Sequence, residues 1–134
     1  MAGLNTPIRK NIDGLESALL FFRACEATVD TAREHLWVVH LDVANRVQKL
    51  SHYLGDVSSA FVPIKRIILD AIHNNSSGIL LAHNHPSGDP RPSQGDCRVT
   101  RKLAMVAEVL DCRVFDHLIL AGLRYSSFRA MGLL

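Results

Sequence analysis

A chain of 134 residues, 48% hydrophobic and 21% charged, has the size and balance of a single globular domain and is too short for two. Its net charge of +2 excludes a highly charged disordered chain and does not reach the charge expected of a dedicated nucleic-acid binder. No apolar run reaches the roughly 20 residues of a membrane span. Three cysteines without C-x-x-C spacing argue against a disulfide framework and favour the reducing cytoplasm.

The first part of the chain predicts a helix followed by a β-hairpin. Good helix formers, with apolar residues at helical spacing, run from Leu15 to about Arg33 and predict the first helix. The segments 36–41 and 47–54 are apolar or loosely alternating, and they flank turn formers at 42–46. We interpret these two segments as the antiparallel strands of a hairpin.

The second part predicts two more helices around a buried strand. From residue 64 the apolar positions follow helical spacing, and Asn74 supplies a stop signal. The run 78–82 is short, apolar and bounded by turn residues, as in a strand that is buried on both faces. Prolines then prevent regular structure until Ser93, which suits the N-cap of a third helix, and two short strands divided by Gly122 complete the chain. This order of elements implies a mixed sheet covered by helices.

The stretch that follows the buried strand carries the candidate chemistry. It reads "HNHP" at 83–86 and "SQGD" at 93–96. Residues two apart on a strand point to the same side, so His83 and His85 can present both imidazoles to one point. Asp96, one turn into the next helix, can add a carboxylate. Two nitrogen ligands and one oxygen ligand suit a catalytic zinc, which keeps its fourth position open for a water whose pKa falls to about 7.

Each part of this stretch also has a purely structural explanation. Ser93-x-x-Asp96 is a helix-start pattern, in which Ser93 caps the helix and Asp96 lies near the positive end of the helix dipole. Two histidines at a strand end are weak support in a chain that contains seven. The combination of an apolar strand, H-x-H, a rigid proline bend and an acid at a helix start favours the metal site.

The same spacing resembles the signature of the JAMM (MPN-domain) metalloprotein superfamily. The strings "HNHPSGDPRPS" and "DHLIL" and the closing "GLL" are similar to its RadC branch, over a region from about Glu34 to Leu134. The resemblance implies an α/β (α+β mixed) MPN fold, with three layers like those of cytidine deaminases and a mixed sheet flanked by helices. We therefore expect one RadC-like MPN domain over residues 1–134, with residues 1–12 poorly ordered and no N-terminal helix-hairpin-helix domain.

The resemblance also implies the roles of individual residues. His83, His85 and Asp96 would hold Zn²⁺, the one cofactor that it predicts. Glu34, just before the first strand, matches the general acid/base that takes a proton from water on the metal. Ser93 would help to stabilise the oxyanion of a tetrahedral intermediate.

Another histidine in the RadC-like strings has a different interpretation. His117, in "DHLIL", matches a RadC feature and enters an apolar strand. A histidine in that position is more often a hydrogen-bonded core residue than a ligand, and we interpret it as structural.

Two functional hypotheses follow from these observations. The first is a zinc-dependent metallohydrolase of the JAMM metallopeptidase or isopeptidase type, acting on a peptide or isopeptide. The alternative is a non-catalytic or DNA-associated accessory protein linked to DNA repair or mobile elements. A nucleobase deaminase would need H-x-E with P-C-x-x-C, and the sequence has neither. We expect no membrane partner, while nucleic-acid binding and self-association into a homo-oligomer stay open.

Overall fold

The computed structural model describes residues 10–55 and 62–134, and it has the predicted order of elements. The prediction of a mixed sheet flanked by helices is confirmed. In chain order the elements are α1 (Leu15–Glu26), β1 (His35–Leu41), β2 (Val47–Leu54), α2 (Ile64–His73), β3 (Gly78–Asn84), α3 (Gln94–Val109), β4 (Arg113–Ala121) and β5 (Arg124–Ser127).

The five strands form one sheet in the order β2-β1-β3-β4-β5. Strands β3 and β4 are parallel, and the other neighbouring pairs are antiparallel. All seven residues of the central strand β3 are buried, as its continuous apolar run predicts. Because β3 lies between β1 and β4, residues at its C-terminal end lie beside the start of β1 and near the end of β4.

Two apolar layers cover the two faces of the sheet. Leu80 of β3 packs in the layer on the α1 side, whereas its neighbour Leu81 packs in the layer formed with α2 and α3. This alternation follows from the two-residue period of a strand, and each fully buried leucine contributes about 1.5–3 kcal/mol. His83 continues the side of Leu81 and therefore faces α3.

A β-bulge in β4 sets which of its residues face α3. Ile79 pairs with Val114, but Leu80 pairs with Asp116, so Phe115 is an extra residue in the ladder. Phe115 packs on the α1 side, together with the layer of Leu80. After the bulge, Asp116 lies on the α1 side of the sheet, like Leu80, and His117 faces α3.

One expectation about the N-terminal part is wrong. Helix α1 ends at Glu26 and does not reach Arg33. The Thr28 hydroxyl donates to the Cys25 carbonyl at 2.7 Å, and the Asp30 carboxylate accepts from the Ala32 N–H at 3.0 Å. Such local side-chain bonds give the backbone an alternative to the helix.

The expected poor order of residues 1–12 stays a prediction. Asn11 forms a bridge with Arg46, and Ile12 is buried in the α1 layer. Residues 1–9 lie outside the described part of the chain. The expected single domain over residues 1–134 and the expected lack of a helix-hairpin-helix domain stay predictions.

The helices within the described ranges are all too short or too polar to cross a bilayer. The cytoplasmic location and the expected partners stay predictions.

Candidate metal centre

The side chains of His83, His85 and Asp96 meet at the C-terminal end of β3. The Nε2 atoms of the two histidines are 2.9 Å apart. The Oδ2 atom of Asp96 lies 3.6 Å from Nε2 of His83 and 3.3 Å from Nε2 of His85. Donor atoms about 2.0–2.2 Å from a tetrahedral zinc are themselves separated by roughly 3.3–3.6 Å. The two distances to Asp96 lie in that range, whereas the two Nε2 atoms are closer together.

The proton on His85 is placed by the loop that follows β3. The backbone N–H of His85 donates to the Leu120 carbonyl at 2.8 Å, which ties the start of the loop to β4. Its ring Nδ1 lies 2.8 Å from the Asp89 carbonyl oxygen. A carbonyl oxygen can only accept, so Nδ1 carries the hydrogen and neutral His85 has its lone pair on Nε2. A neighbouring acceptor of this kind orients the histidine ligands of metal sites.

One carboxylate oxygen of Asp96 both takes part in the N-terminal cap of α3 and faces the two histidines. Its Oδ2 accepts from the Ser93 N–H at 2.9 Å, while the Ser93 Oγ accepts from the Asp96 N–H at 2.9 Å. The capping explanation is therefore correct, and it coexists with the metal-site geometry. Burial acts to raise the pKa of Asp96, but the neighbouring imidazoles of His83 and His85 hold that pKa well below its usual value. Asp96 is accordingly an anion between two imidazoles.

Glu34 reaches the same point from the neighbouring strand. Its carboxylate, His83 and His85 each offer a ligand atom, and these atoms all lie within 4.8 Å of one another. Glu34 is far from the histidines in sequence, but β1 pairs with β3 so that Leu36 lies opposite His83. This pairing brings Glu34 close to both imidazoles. On the other side, the Gly55 N–H donates to the Glu34 carbonyl at 2.8 Å. The half-buried Glu34 is thus held beside the imidazoles by pairing along both edges of β1.

Sequence reasoning missed Asn84, the residue between the two histidines. Its side chain is buried and points away from theirs, toward the segment that precedes β1. Its Oδ1 accepts from the His35 N–H at 2.7 Å, and its Nδ2 donates to the carbonyls of Arg33 at 2.8 Å and Thr31 at 3.2 Å. Asn84 therefore holds the peptide groups on both sides of Glu34. A polar residue at a buried position in β3 is the signal that could have found it, because buried amides need partners.

His117 lies directly behind His83, and its interpretation as a hydrogen-bonded core residue is confirmed. Its Nε2 is 2.6 Å from Nδ1 of His83, and its Nδ1 is 2.7 Å from the Thr100 Oγ1. The ring stacks on Phe128 with centroids 4.7 Å apart. Full burial lowers the pKa of His117 well below its usual value, so this imidazole is neutral.

The predicted oxyanion role of Ser93 stays a prediction. Its hydroxyl oxygen is engaged as the acceptor of the helix cap. The hydroxyl hydrogen takes no part in that bond, and Ser93 is exposed beside the centre. Its cap geometry therefore leaves a donor for the role that the sequence suggests.

Comparison with known proteins agrees with this geometry. The family model described as RadC-like JAB domain matches residues 15–133. A UPF0758 protein of Chloroflexus aurantiacus is 43% identical over 102 residues, which cover 75% of this chain and 44% of that protein. UPF0758 proteins of Desulfitobacterium hafniense and Aquifex aeolicus are 42% identical over 103 residues and 40% identical over 106 residues, covering 76% and 78% of this chain and 45% and 46% of theirs. The chain thus spans less than half the length of these relatives.

Proposed function

Since the chain belongs to the RadC-like JAB domain family, and is thereby related to the JAMM superfamily, we propose that it is a zinc-dependent hydrolase of amide bonds. The substrate in this proposal is a peptide or an isopeptide. The observation that carries the proposal is the convergence of His83, His85 and Asp96, with Glu34 beside them. In this assignment the first three residues hold the metal and Glu34 is the catalytic base.

The chemistry of the donor set fits zinc. Two neutral imidazoles and one carboxylate are ligands that Zn²⁺ favours, whereas Mg²⁺ and Ca²⁺ favour oxygen ligands alone. The Nδ1 atoms of His83 and His85 are engaged with His117 and with the Asp89 carbonyl. Both Nε2 atoms are thereby directed at Asp96 and at each other, as a shared ion would need.

The protein groups can carry the proton through one complete cycle. When bound, zinc polarises the scissile carbonyl and lowers the pKa of water to about 7. Glu34 takes a proton from the attacking water on its carboxylate and returns it to the nitrogen of the leaving amine. Ser93 donates its hydroxyl hydrogen to the oxygen that becomes negative during attack. One carboxylate thus acts first as base and then as acid, and no proton is left over.

Metal analysis and one conservative variant test this proposal. We expect about one zinc per chain in the purified protein, and loss of that zinc in His85→Ala. Glu34→Gln should keep the zinc and lose roughly 10²- to 10⁴-fold in the turnover of fluorogenic peptide and isopeptide substrates. Glu108→Gln, at an exposed position of α3, is the matched control and should behave as the unaltered protein. A protein that binds no zinc, or a Glu34→Gln variant with full activity, would contradict the proposal.

Exposed positive charge on α2 and α3 favours a second candidate function, nucleic-acid binding without catalysis. Both helices cover the same face of the sheet. This accessory function predicts DNA affinity that falls steeply with salt, because cations released from phosphates drive such binding. DNA binding without cleavage of any amide substrate would favour it over the hydrolase. The exposed basic residues are Lys65, Arg66, Arg98, Arg101 and Lys102.

A further inference from the structure

The loop between β3 and α3 turns three consecutive backbone carbonyl oxygens toward polar side chains. They belong to Gly88, Asp89 and Pro90, here called the carbonyl triplet. The middle oxygen lies 2.8 Å from Nδ1 of His85, one of the candidate ligands. The first oxygen accepts a hydrogen bond from the Arg124 guanidinium at 2.6 Å, and the last accepts one from the Ser126 hydroxyl at 2.6 Å. Strand β5 and the ring of His85 are thus joined through one short piece of backbone.

The residues of the loop set how the triplet is presented. Gly88 has a φ of 83°, in the left-handed region that favours glycine, and its N–H donates to the His85 carbonyl at 3.1 Å. Pro90 disfavours a helical backbone at the residue before it. The Asp89 carboxylate accepts from the exposed Arg91 guanidinium at 2.7 Å. The backbone oxygen of Asp89, and not its side chain, is therefore the group beside the His85 ring.

Strand β5 reaches the triplet from the edge of the sheet. Arg124 and Ser126 are two residues apart, so both side chains lie on one side of β5, whereas Ser127 points to the other. Ser126 pairs with Ile119 of β4, and Ile119 pairs in turn with His83. The hydroxyl that holds the loop therefore lies in the same row of the sheet as the first candidate ligand.

Two contacts fix the direction of the His85 ring. Its backbone N–H donates to the Leu120 carbonyl of β4 at 2.8 Å. The χ2 torsion of a histidine has broad minima, so the backbone alone does not set the rotation of the ring. The Asp89 oxygen beside Nδ1 supplies that constraint, and Nε2 is thereby turned toward His83 and Asp96. One contact comes from β4 directly, and the other comes from β5 through the carbonyl triplet.

We propose that Ser126 and Arg124 are positioning residues for His85. They hold the first and last carbonyls of the triplet, so that the middle oxygen keeps Nε2 of His85 directed at the metal. This inference rests on the proposed function, in which His85 is a zinc ligand. Without the two donors the loop loses these hydrogen bonds to β5, and the His85 ring takes a wider range of directions. Both residues act on the metal through His85.

The Ser126 bond should have the larger effect of the two. Ser126 is half-buried, whereas Arg124 is exposed. Water can replace an exposed donor at little cost, but a partly buried carbonyl that is left without its donor is harder to satisfy. The order of the two effects is therefore part of the proposal.

Zinc affinity, measured by competition with a chelator, tests the proposal. Ser126→Ala should weaken binding by about 5-fold, less than the roughly 10- to 100-fold loss that follows removal of a partner in contact with the ligand itself. Arg124→Met keeps the aliphatic stem and should weaken binding by about 2-fold, and the double variant by about 10-fold. Ser126→Thr keeps a hydroxyl and should restore most of the affinity.

The neighbouring serine provides a matched control. The Ser127 hydroxyl donates to Asp116 at 2.6 Å on the opposite face, so Ser127→Ala loses a bond of the same length that does not involve the loop. This variant should unfold at lower urea concentration and keep its zinc affinity. An equal loss of zinc affinity in Ser126→Ala and Ser127→Ala, or no loss in Ser126→Ala, would overturn the proposal.

Cobalt absorption separates a change in ligand direction from a general loss of stability. Co²⁺ in place of zinc has visible bands that depend on the arrangement of its ligands. We expect altered bands in Ser126→Ala, and the bands of the unaltered protein in Ser127→Ala and Ser126→Thr. Identical bands in all four proteins would contradict the positioning role alone. If the unaltered protein binds neither zinc nor cobalt, the proposed function fails, and this inference fails with it.

Discussion

Asn84 binds the backbone on both sides of Glu34 and so connects the strand of the histidines to the candidate base. Its carbonyl oxygen accepts from His35, and its amide donates to Arg33. His83 and Asn84, the last two residues of β3, point in opposite directions, because neighbouring residues of a strand alternate. The end of β3 and the first residue after it therefore present two candidate metal ligands, and Asn84 between them holds the segment of the candidate base.

We expect Asn84→Ala to lower the free energy of unfolding and to slow catalysis without releasing zinc. The His35 N–H would lose its partner in a buried place, which costs about 1–3 kcal/mol. The measurements are urea unfolding, zinc content and amide turnover. Asn84→Asp keeps the acceptor for His35 and loses the donor to Arg33. Its free energy of unfolding should therefore lie between those of the unaltered protein and Asn84→Ala. Loss of zinc in parallel with activity would show that Asn84 acts on the histidines and not on Glu34.

The two functions of the Ser93–Asp96 pair should separate in single variants. Ser93→Ala removes the cap of α3 and should lower the free energy of unfolding by about 1 kcal/mol, with the metal retained. Asp96→Asn keeps an oxygen that can accept from the Ser93 N–H but removes the negative charge from the imidazoles. We expect this variant to lose zinc on dialysis while its unfolding changes little. Full zinc retention in Asp96→Asn would remove Asp96 from the ligand set.

His40 should make the fold sensitive to acid. It is fully buried on β1, and burial lowers its pKa from 6.5 to about 4, although Asp70 acts in the opposite direction. The unfolded chain therefore binds a proton between these two values and the folded protein does not. The free energy of unfolding is therefore highest, as far as His40 is concerned, above pH 6.5. It falls with pH below that value, by about 3 kcal/mol at pH 4.

Unfolding by urea at several pH values checks this expectation. His40→Gln removes the titrating group, so its free energy of unfolding should fall less between pH 6.5 and 4 than that of the unaltered protein. Parallel curves for the two proteins would show that other groups cause the acid sensitivity.

Any side chain larger than that of Gly78 should destabilise the fold, because the ring of Phe115 occupies the space beside it. A Cβ at Gly78 would overlap the ring of Phe115, the extra residue of the bulge. Gly78→Ala should therefore cost about 1–3 kcal/mol of unfolding free energy. The double variant Gly78→Ala with Phe115→Leu should recover part of that loss, because the two sites are in contact. Gly14→Ala, whose Cβ would meet nothing within 4 Å, is the control.

Local patterns were enough to predict most of the elements. The hairpin, the buried strand β3 and the start of α3 depend on neighbouring residues, and the structure has them where they were predicted. The end of α1 was missed because side chains beyond it bond to their own backbone, an effect that helix propensity does not include.

The candidate site was predictable only in part. The alternation of β3 and the pattern at the start of α3 predict that His83, His85 and Asp96 converge. Glu34 came from resemblance alone, because its position depends on the pairing of β1 with β3. The partners of Asn84 could not be predicted for the same reason, since they lie on another element.

The bulge at Phe115 decides which of two neighbouring residues, Asp116 or His117, lies behind the candidate ligand His83. Asp116 points to the opposite face, where it accepts from the Ser127 hydroxyl and the Arg129 N–H, and His117 faces His83. In an unbroken ladder, the carboxylate would take the place of the imidazole. An anion there would draw the hydrogen of His83 toward itself and make the ligand more electron-rich. A shift of β4 by one residue against β3 would therefore change how strongly the His83 nitrogen donates its lone pair.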